Sequence, residues 1–125
     1  MEHDPELDTV FESVADYFGL LAEPARLKIL HCLCGGERSV ADVVAQSGLS
    51  QTNTSRHLNM LYRAGIVGRR KDGSMVFYKL IDPNFPSICR TVCIQIASGS
   101  ALNLPSKPSK ASLKKVGRAL EIASE

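Results

Sequence analysis

The residues of this 125-residue chain best suited to chemistry are four cysteines, Cys32, Cys34, Cys89 and Cys93. Cys89 and Cys93 are four residues apart, so in a helix both thiols lie on one face and could share one soft ion or one oxidant. Cys32 and Cys34 are two residues apart and would diverge in an intact helix. A free cysteine also commonly serves as a small buried hydrophobic residue. The four cysteines are therefore candidate metal ligands, candidate redox thiols or core residues.

A second group of polar residues lies between Leu49 and Gly65. Ser50 is placed to cap a helix, and Thr54, Leu58 and Leu61 recur at the spacing of one buried stripe. The positions between them carry short or planar hydrogen-bonding side chains with a single charge: Gln51, Thr52, Asn53, Ser55, Arg56 and Asn59. A helix that only faces water would more often carry Glu and Lys there. This composition favours contact with a polar, patterned partner over an ordinary solvated face.

The net charge of +2 conceals an uneven distribution of charge along the chain. Residues 1–48 carry nine acidic and three basic residues, whereas residues 49–79 carry six basic residues against Asp72 alone. Basic charge is therefore concentrated on the polar helix and the segment that follows it. This is the distribution expected of a surface that meets phosphates.

Hydrophobic periodicity predicts the helices that position these groups. One covers residues 7–22, and a second begins at Pro24 and ends at Gly35-Gly36. Ser39 can cap a short third helix that Gly48 ends, directly before the polar helix. On the second helix we expect an inner face of Leu27, Leu30 and either Leu33 or Cys34. Two short helices joined by a glycine-containing turn predict a helix-turn-helix whose second member is the recognition helix.

The period changes to that of β-strands after Gly65. Two β-rich runs flank an Asp72-Gly73 pair, which is a strong hairpin signal. The three consecutive basic residues Arg69, Arg70 and Lys71 favour the wing of a winged helix over a plain hairpin that closes a small core. Another helix is expected from Asp82-Pro83 to about Ser98. The predicted fold is mainly α with a small β-hairpin, in the order α1-α2-α3-α4-β-β-α5 plus a C-terminal tail.

Length and composition set further expectations. A chain of this length predicts one domain small enough to favour dimerisation, which we place at residues 1–100, with a linker and an amphipathic tail at 101–125. No apolar run approaches the ~20 residues of a membrane span, and the acidic start is unlike a signal peptide, so we expect a cytoplasmic protein. The three histidines, His3, His31 and His57, are scattered, and no phosphate-binding glycine loop is present. These features do not favour an enzyme, and His57 is expected to pack rather than to act as a base.

Several motifs together carry a resemblance to a known family. They are Leu21 to Leu30, Leu49-Ser50-Gln51, Ser55-x-His57-Leu58, Leu61-x-x-Ala64-Gly65-Ile66-Val67, Arg69-Arg70-x-x-Gly73 and Phe77-Tyr78-x-Leu80. Through them, residues 10–97 resemble the ArsR/SmtB family of bacterial metal- and stress-responsive winged-helix repressors. The resemblance implies a homodimer, formed by the first and last core helices, that binds inverted repeats in double-stranded operator DNA and leaves them when an inducer binds. It also implies DNA contacts on the recognition helix and the wing, which we expect from Gln51, Thr52, Asn53, Ser55, Arg56, Arg69, Arg70 and Lys71.

The sensor positions of the family are matched less well. The thiolate site at the start of the helix-turn-helix is replaced by residues 37–42, which contain no cysteine, and the zinc site of the last helices keeps Asp82 but has Asn84, Gln95 and Ser98 in place of its other ligands. The two cysteines of the oxidant- and sulfur-sensing subgroup correspond to His31 and Ala97. Cys34 and Cys93 each lie one turn from these positions and would form a displaced thiol pair.

The leading hypothesis is a repressor that senses a soft metal or metalloid, such as arsenite, through Cys34, Cys93 and Cys89, with Cys32 as an optional fourth thiol. It requires no resident cofactor. Sensing of oxidants or reactive sulfur by the same thiols is the alternative within this fold. A winged helix that only binds other proteins is the alternative of another class.

Overall fold

The structure is a computed structural model that describes residues 2–99 and 102–123, with residues 117 and 119–123 described by their backbone alone. Its elements follow in the order α1 (Pro5–Leu21), α2 (Pro24–Cys34), β1 (Arg38–Ser39), α3 (Val40–Ser47), α4 (Gln51–Arg63), β2 (Val67–Asp72), β3 (Met75–Leu80), α5 (Phe85–Ala97) and α6 (Lys110–Ala123). The chain forms two compact units, which divide after Ile81. The domain boundary expected at residue 100 stays a prediction, whereas the compact units group α5 with α6.

The helix-turn-helix is bounded by the predicted capping residues. The Ser39 hydroxyl accepts a hydrogen bond from the Asp42 amide at 3.1 Å, and the Ser50 hydroxyl accepts one from the Asn53 amide at 3.1 Å. Between α3 and α4, Gly48 adopts a φ of 75°, a left-handed conformation that glycine takes without a steric penalty. The predicted turn and the start of the recognition helix are therefore confirmed.

The core of the first unit lies between α2, α3 and α4, where Ile29, Leu30, Leu33, Val43, Leu58 and Leu61 are almost fully buried. The inner face expected for α2 was partly wrong, because Leu27 is 39% exposed and Cys34 is also exposed. Both side chains lie about 100° around the helix from the centre of the buried face, which is set by Ile29, Leu30 and Leu33. Packing against α3 and α4 determines which face of α2 is most deeply buried, and the hydrophobic periodicity of α2 alone does not.

The predicted hairpin is part of a three-stranded antiparallel sheet with the order β1-β3-β2. The expected fold did not include β1, whose residues Arg38 and Ser39 pair with Tyr78 and Phe77. A strand of two residues has no readable period, so only its pairing with β3 defines it. Asp72 pairs with Met75, which makes Gly73-Ser74 the turn, with Gly73 at a φ of 62°. β2 therefore extends two residues further toward the turn than the expected run of residues 66–70, β3 covers the expected Met75–Leu80, and the turn lies one residue later.

The second unit contains α5 and α6, which pack against each other. Phe85 is buried, Ile88 and Ile96 are half-buried, and Val92 is exposed. Within the expected amphipathic tail, the chain forms the helix α6, while residues 1, 100, 101, 124 and 125 lie outside the described part of the chain. Within residues 2–99 and 102–123, no helix combines the length and the apolar character that crossing a membrane requires.

Candidate nucleic-acid interface

The outer face of α4 presents the predicted polar residues to solvent. Gln51, Thr52, Asn53, Ser55 and Arg56 are all exposed, whereas Thr54, His57, Leu58 and Leu61 bury the opposite side of the helix. The buried stripe fixes which face of α4 points outward. The N-terminus of the helix dipole adds a partial positive charge to the same surface. This arrangement can present amide, hydroxyl and guanidinium groups to hydrogen-bond acceptors and donors on another molecule.

Two of these side chains are already joined to each other. The Arg56 guanidinium donates a hydrogen bond to the side-chain oxygen of Asn53, one turn earlier, at 3.3 Å. Holding the guanidinium along the helix reduces the rotamer freedom that it would lose on binding a partner. Asn53 is therefore placed to orient Arg56 as well as to make contacts of its own.

The wing residue Arg70 has an acidic neighbour that was not expected from the sequence. Its guanidinium makes a two-pronged ion pair with Glu37, with nitrogen–oxygen distances of 2.7 to 3.1 Å, and lies 4.5 Å from the centre of the Phe77 ring. The hydrogen bond from Arg70 lowers the pKa of Glu37, so this attraction persists until the pH falls through that lowered pKa. Arg70 therefore ties β2 to the segment before β1, and its role as a DNA contact stays a prediction.

The alternation of a strand explains why the three basic residues of the wing are not equivalent. Neighbouring residues of a strand point to opposite faces, so Arg69, Arg70 and Lys71 cannot share one surface. Arg69 lies over the Tyr62 ring at the end of α4, with 4.1 Å between the guanidinium carbon and the ring centre. Lys71, near the tip of the hairpin, is exposed. The two-residue alternation of a strand can be read from the sequence, and it could have distinguished Arg70 from Arg69 and Lys71.

The helix α1 carries a row of exposed apolar side chains. Leu21 is the residue of this helix that is buried, whereas Phe11 is 66% exposed and Phe18 is 52% exposed. Leu7, Val10 and Val14 extend the row, and Tyr17 packs edge-on against Phe18. A contiguous apolar face of this kind indicates a surface that meets another apolar surface.

Cys89 and Cys93 are brought together as predicted, with 3.8 Å between their sulfur atoms on α5, and both are half-buried. Cys32 and Cys34 lie near the end of α2. Desolvation raises the pKa of both thiols, and the neighbouring Cys32 raises that of Cys34 further. Among the described residues, no three His, Cys, Asp or Glu side chains are grouped so that they could hold a metal ion. The three-thiolate site that includes Cys34 stays a prediction.

His57, on the buried side of α4, contacts Arg26 and Glu23. Neither of these two residues was predicted from the sequence to be functional. Both belong to the Glu-Pro-x-Arg segment at the start of α2. The signal available in the sequence was this pair of opposite charges in a largely apolar segment, which could have indicated a role for Glu23 and Arg26.

The chain is similar to known transcriptional regulators. The model of the arsR family of bacterial regulatory proteins matches residues 23–68. The HTH-type transcriptional regulator Rv0081 of Mycobacterium tuberculosis is 33% identical over 97 residues, covering 74% of this chain and 85% of the relative. A probable mercury resistance operon repressor of Streptomyces lividans is 34% identical over 93 residues, covering 74% of each chain.

Solved structures show the same fold. NolR from Sinorhizobium fredii superposes with a TM-score of 0.68 at 28% identity, over 81% of this chain and 99% of the other. The crystal structure of Rv0081 superposes with a TM-score of 0.65 at 32% identity, over 78% of this chain and 97% of the other.

Proposed function

This chain belongs to the arsR family of bacterial regulatory proteins, which are DNA-binding transcriptional regulators and not enzymes, and we propose that it represses transcription as a homodimer bound to double-stranded operator DNA. The observation that carries this proposal is the exposed polar face of α4, held outward by a fully buried opposite face. Its side chains have the chemistry that reads base edges in the major groove, where Gln pairs with adenine and Arg with guanine.

The wing supplies a second kind of contact. Lys71 near the tip of the hairpin and Arg69 on β2, which lies over Tyr62 at the end of α4, add positive charge beside the recognition helix. Such charges bind phosphates irrespective of sequence. Arg70 is the weaker candidate, because its guanidinium already pairs with Glu37. We therefore assign base reading to Gln51 and Arg56, and phosphate contact mainly to Lys71 and Arg69.

Replacing Lys71 with alanine should weaken binding to an operator and to random duplexes equally. Removing one phosphate-binding side chain should reduce the slope of log K against log salt by about one. Titrations at several salt concentrations, with an operator selected in vitro from random duplexes, measure this slope. Lys28→Ala on α2 is the matched control and should leave the slope unchanged. A weakening confined to the operator would contradict the assignment of Lys71 to phosphates.

A dimer is favoured by the apolar face of α1. Five large apolar residues of one helix are exposed, namely Leu7, Val10, Phe11, Val14 and Phe18, although the chain is small. A two-fold dimer would cover the same face on both copies and would present two recognition helices to an inverted repeat. On α5, the exposed Val92 shares a face with the half-buried Ile88 and Ile96, and this face is a second candidate for a contact between the two copies.

For the inducer, we propose a soft metal or metalloid ion that binds Cys89 and Cys93, with Cys34 as a third thiolate. Two sulfur ligands at ~2.3 Å from a tetrahedral ion are about 3.8 Å apart, which matches the distance between these two thiols. The Streptomyces relative, a probable repressor of a mercury resistance operon, is consistent with an inducer of this class. Soft thiolates select such ions over harder ones.

The same geometry disfavours the redox alternative. A disulfide needs Cβ atoms about 3.8 Å apart, whereas residues four apart on a helix have Cβ atoms ~5–6 Å apart, so α5 would have to unwind. Desolvation also raises the pKa of Cys34, which makes this thiol a poorer nucleophile toward an oxidant. A metal ion avoids this requirement, because coordination itself displaces the thiol proton.

Cys89→Ser and Cys93→Ser should each raise the concentration of arsenite or cadmium that releases half of the operator. We expect an increase of more than about tenfold, since even substitutions outside the ligand shell can cost 10–100-fold in affinity. Cys34→Ser should weaken release if it supplies the third thiolate, and Cys32→Ser is the matched control. Release by peroxide or polysulfide, with loss of two titratable thiols, would support the redox alternative. Unchanged induction in all three variants would leave the cysteines as packing residues.

A further inference from the structure

We propose that Arg26 and His57 act as a positioning pair that fixes the rotation of α4 about its own axis, so that the recognition side chains meet the base edges in one register. The inference rests on the proposed DNA contacts of α4 and adds two residues behind its exposed face, the buried His57 and the half-buried Arg26. Its basis is a hydrogen-bonded cluster that joins three helices within the first compact unit.

Arg26 is the centre of this cluster. Its guanidinium donates to the backbone oxygens of Gly19 and Leu20, at 3.3 and 3.1 Å, and so holds the last turn of α1. It also pairs with the Glu23 carboxylate at 2.8 Å, directly before α2. Its Nε donates to Nδ1 of His57 on α4 at 3.4 Å. One rigid, planar group therefore holds the end of α1, the start of α2 and the middle of α4.

His57 is held in one orientation by these contacts. Because its Nδ1 accepts from Arg26, the hydrogen of the neutral ring lies on Nε2, which faces the Glu23 carboxylate at 3.5 Å. The residue is 3% exposed, so these two side chains take the place of the water that would bind an exposed ring. A buried polar group that loses its neighbour is costly, and the cluster therefore resists any movement of His57 away from Arg26.

The position of His57 makes this resistance relevant to recognition. It directly follows Arg56 and lies one turn after Asn53, so the anchor and the exposed pair belong to the same part of α4. The other buried residues of the helix are Thr54, Leu58 and Leu61. The two leucines make apolar contacts that have little directionality, and the buried Thr54 hydroxyl has no hydrogen-bond partner among the described residues. A roll of roughly 15° would move atoms ~5–6 Å from the helix axis by about 1.4 Å, enough to break a hydrogen bond to a base.

The experiment compares His57→Leu with His57→Asn. Leucine fills the site but accepts no hydrogen bond, whereas the asparagine oxygen can take the place of Nδ1 opposite Arg26. The readout is the ratio of affinities for the in-vitro-selected operator and for a random duplex, with circular dichroism to verify folding. We expect His57→Leu to lower this ratio about tenfold, with random-duplex affinity nearly unchanged, and His57→Asn to restore most of it. Arg26→Lys, which keeps the charge but loses the planar fork, should also lower the ratio.

His31→Leu on the exposed side of α2 is the matched control and should leave the ratio unchanged. If a folded His57→Leu protein keeps the wild-type ratio, or if affinity for both duplexes falls equally, the positioning role is wrong. The positioning role is also wrong if His57→Asn lowers the ratio as much as His57→Leu does. If instead the wild-type protein itself does not distinguish the operator from random DNA, the proposed function fails before this inference is reached.

Discussion

Replacing both Phe11 and Phe18 with aspartate should convert the protein into a monomer and abolish high-affinity operator binding. These are two of the most exposed apolar side chains of α1, and fully burying a phenylalanine contributes roughly 1.5–3 kcal/mol. A two-fold interface would contain four such rings, and the variant would replace them with four carboxylates facing one another. The lost burial of four rings, about 6–12 kcal/mol, is comparable to the free energy of about 8 kcal/mol that holds a typical dimer together at micromolar concentration, and the repulsion among the four carboxylates adds to the loss.

Sedimentation at micromolar concentration measures the change in mass, and titration with the selected operator measures its consequence. Because both side chains are exposed within the single chain, we expect the variant to keep its helical circular dichroism spectrum. Leu104→Asp, in the segment between α5 and α6, is the matched control, since it places the same charge at an exposed apolar residue outside the helices. A variant that stays dimeric would show that α1 does not form the interface.

Replacing Arg56 or Gln51 with alanine should selectively weaken binding to the operator. A side chain that makes a two-pronged contact with a base contributes roughly 1–3 kcal/mol of discrimination, a factor of about 5 to 150 in affinity. The effect of Arg56→Ala should be the larger of the two, because removing the guanidinium that contacts Asn53 also leaves Asn53 less well ordered. Random duplexes should bind Gln51→Ala as they bind the wild type.

Parallel titrations on the operator, on single-base variants of it and on random duplexes provide the measurement. Removing a true base contact abolishes discrimination at one position of the operator and preserves it at the others. Lys71→Ala supplies the contrast, because a phosphate contact should affect every duplex equally. If substitutions on α4 and on the wing gave the same pattern, the division of labour between them would be wrong.

The sequence predicted the helices and the turns because their signals are local. Ser39, Gly48 and Ser50 mark the ends of α3 and α4 through contacts no more than four residues long. The stripe of Thr54, Leu58 and Leu61 likewise determined which side of α4 is buried, and hence which side is polar and exposed. Helix caps and amphipathic periods follow from backbone geometry, so they can be read without knowing the tertiary contacts.

The exposed face of α1 was also foreseeable, though for a different reason. The number of large apolar residues on the predicted first and last core helices exceeded what so small a core can cover, and Phe11 and Phe18 are indeed exposed. Surface-to-volume scaling sets that limit for any chain of this length. The sequence did not determine where α2 would be buried, since Leu27 and Cys34 face outward.

Only the tertiary structure decided which charged groups meet. Arg70 pairs with Glu37 across 33 residues, and Arg26 contacts His57 across 31 residues. No local period links such residues, because their approach depends on how β1 pairs with β3 and on how α1, α2 and α4 pack. The sequence could therefore name Arg70 as a basic wing residue and His57 as a buried member of α4. It could not show that the first is already neutralised by a carboxylate and that the second is anchored to the end of another helix, since both outcomes arise from packing between distant segments.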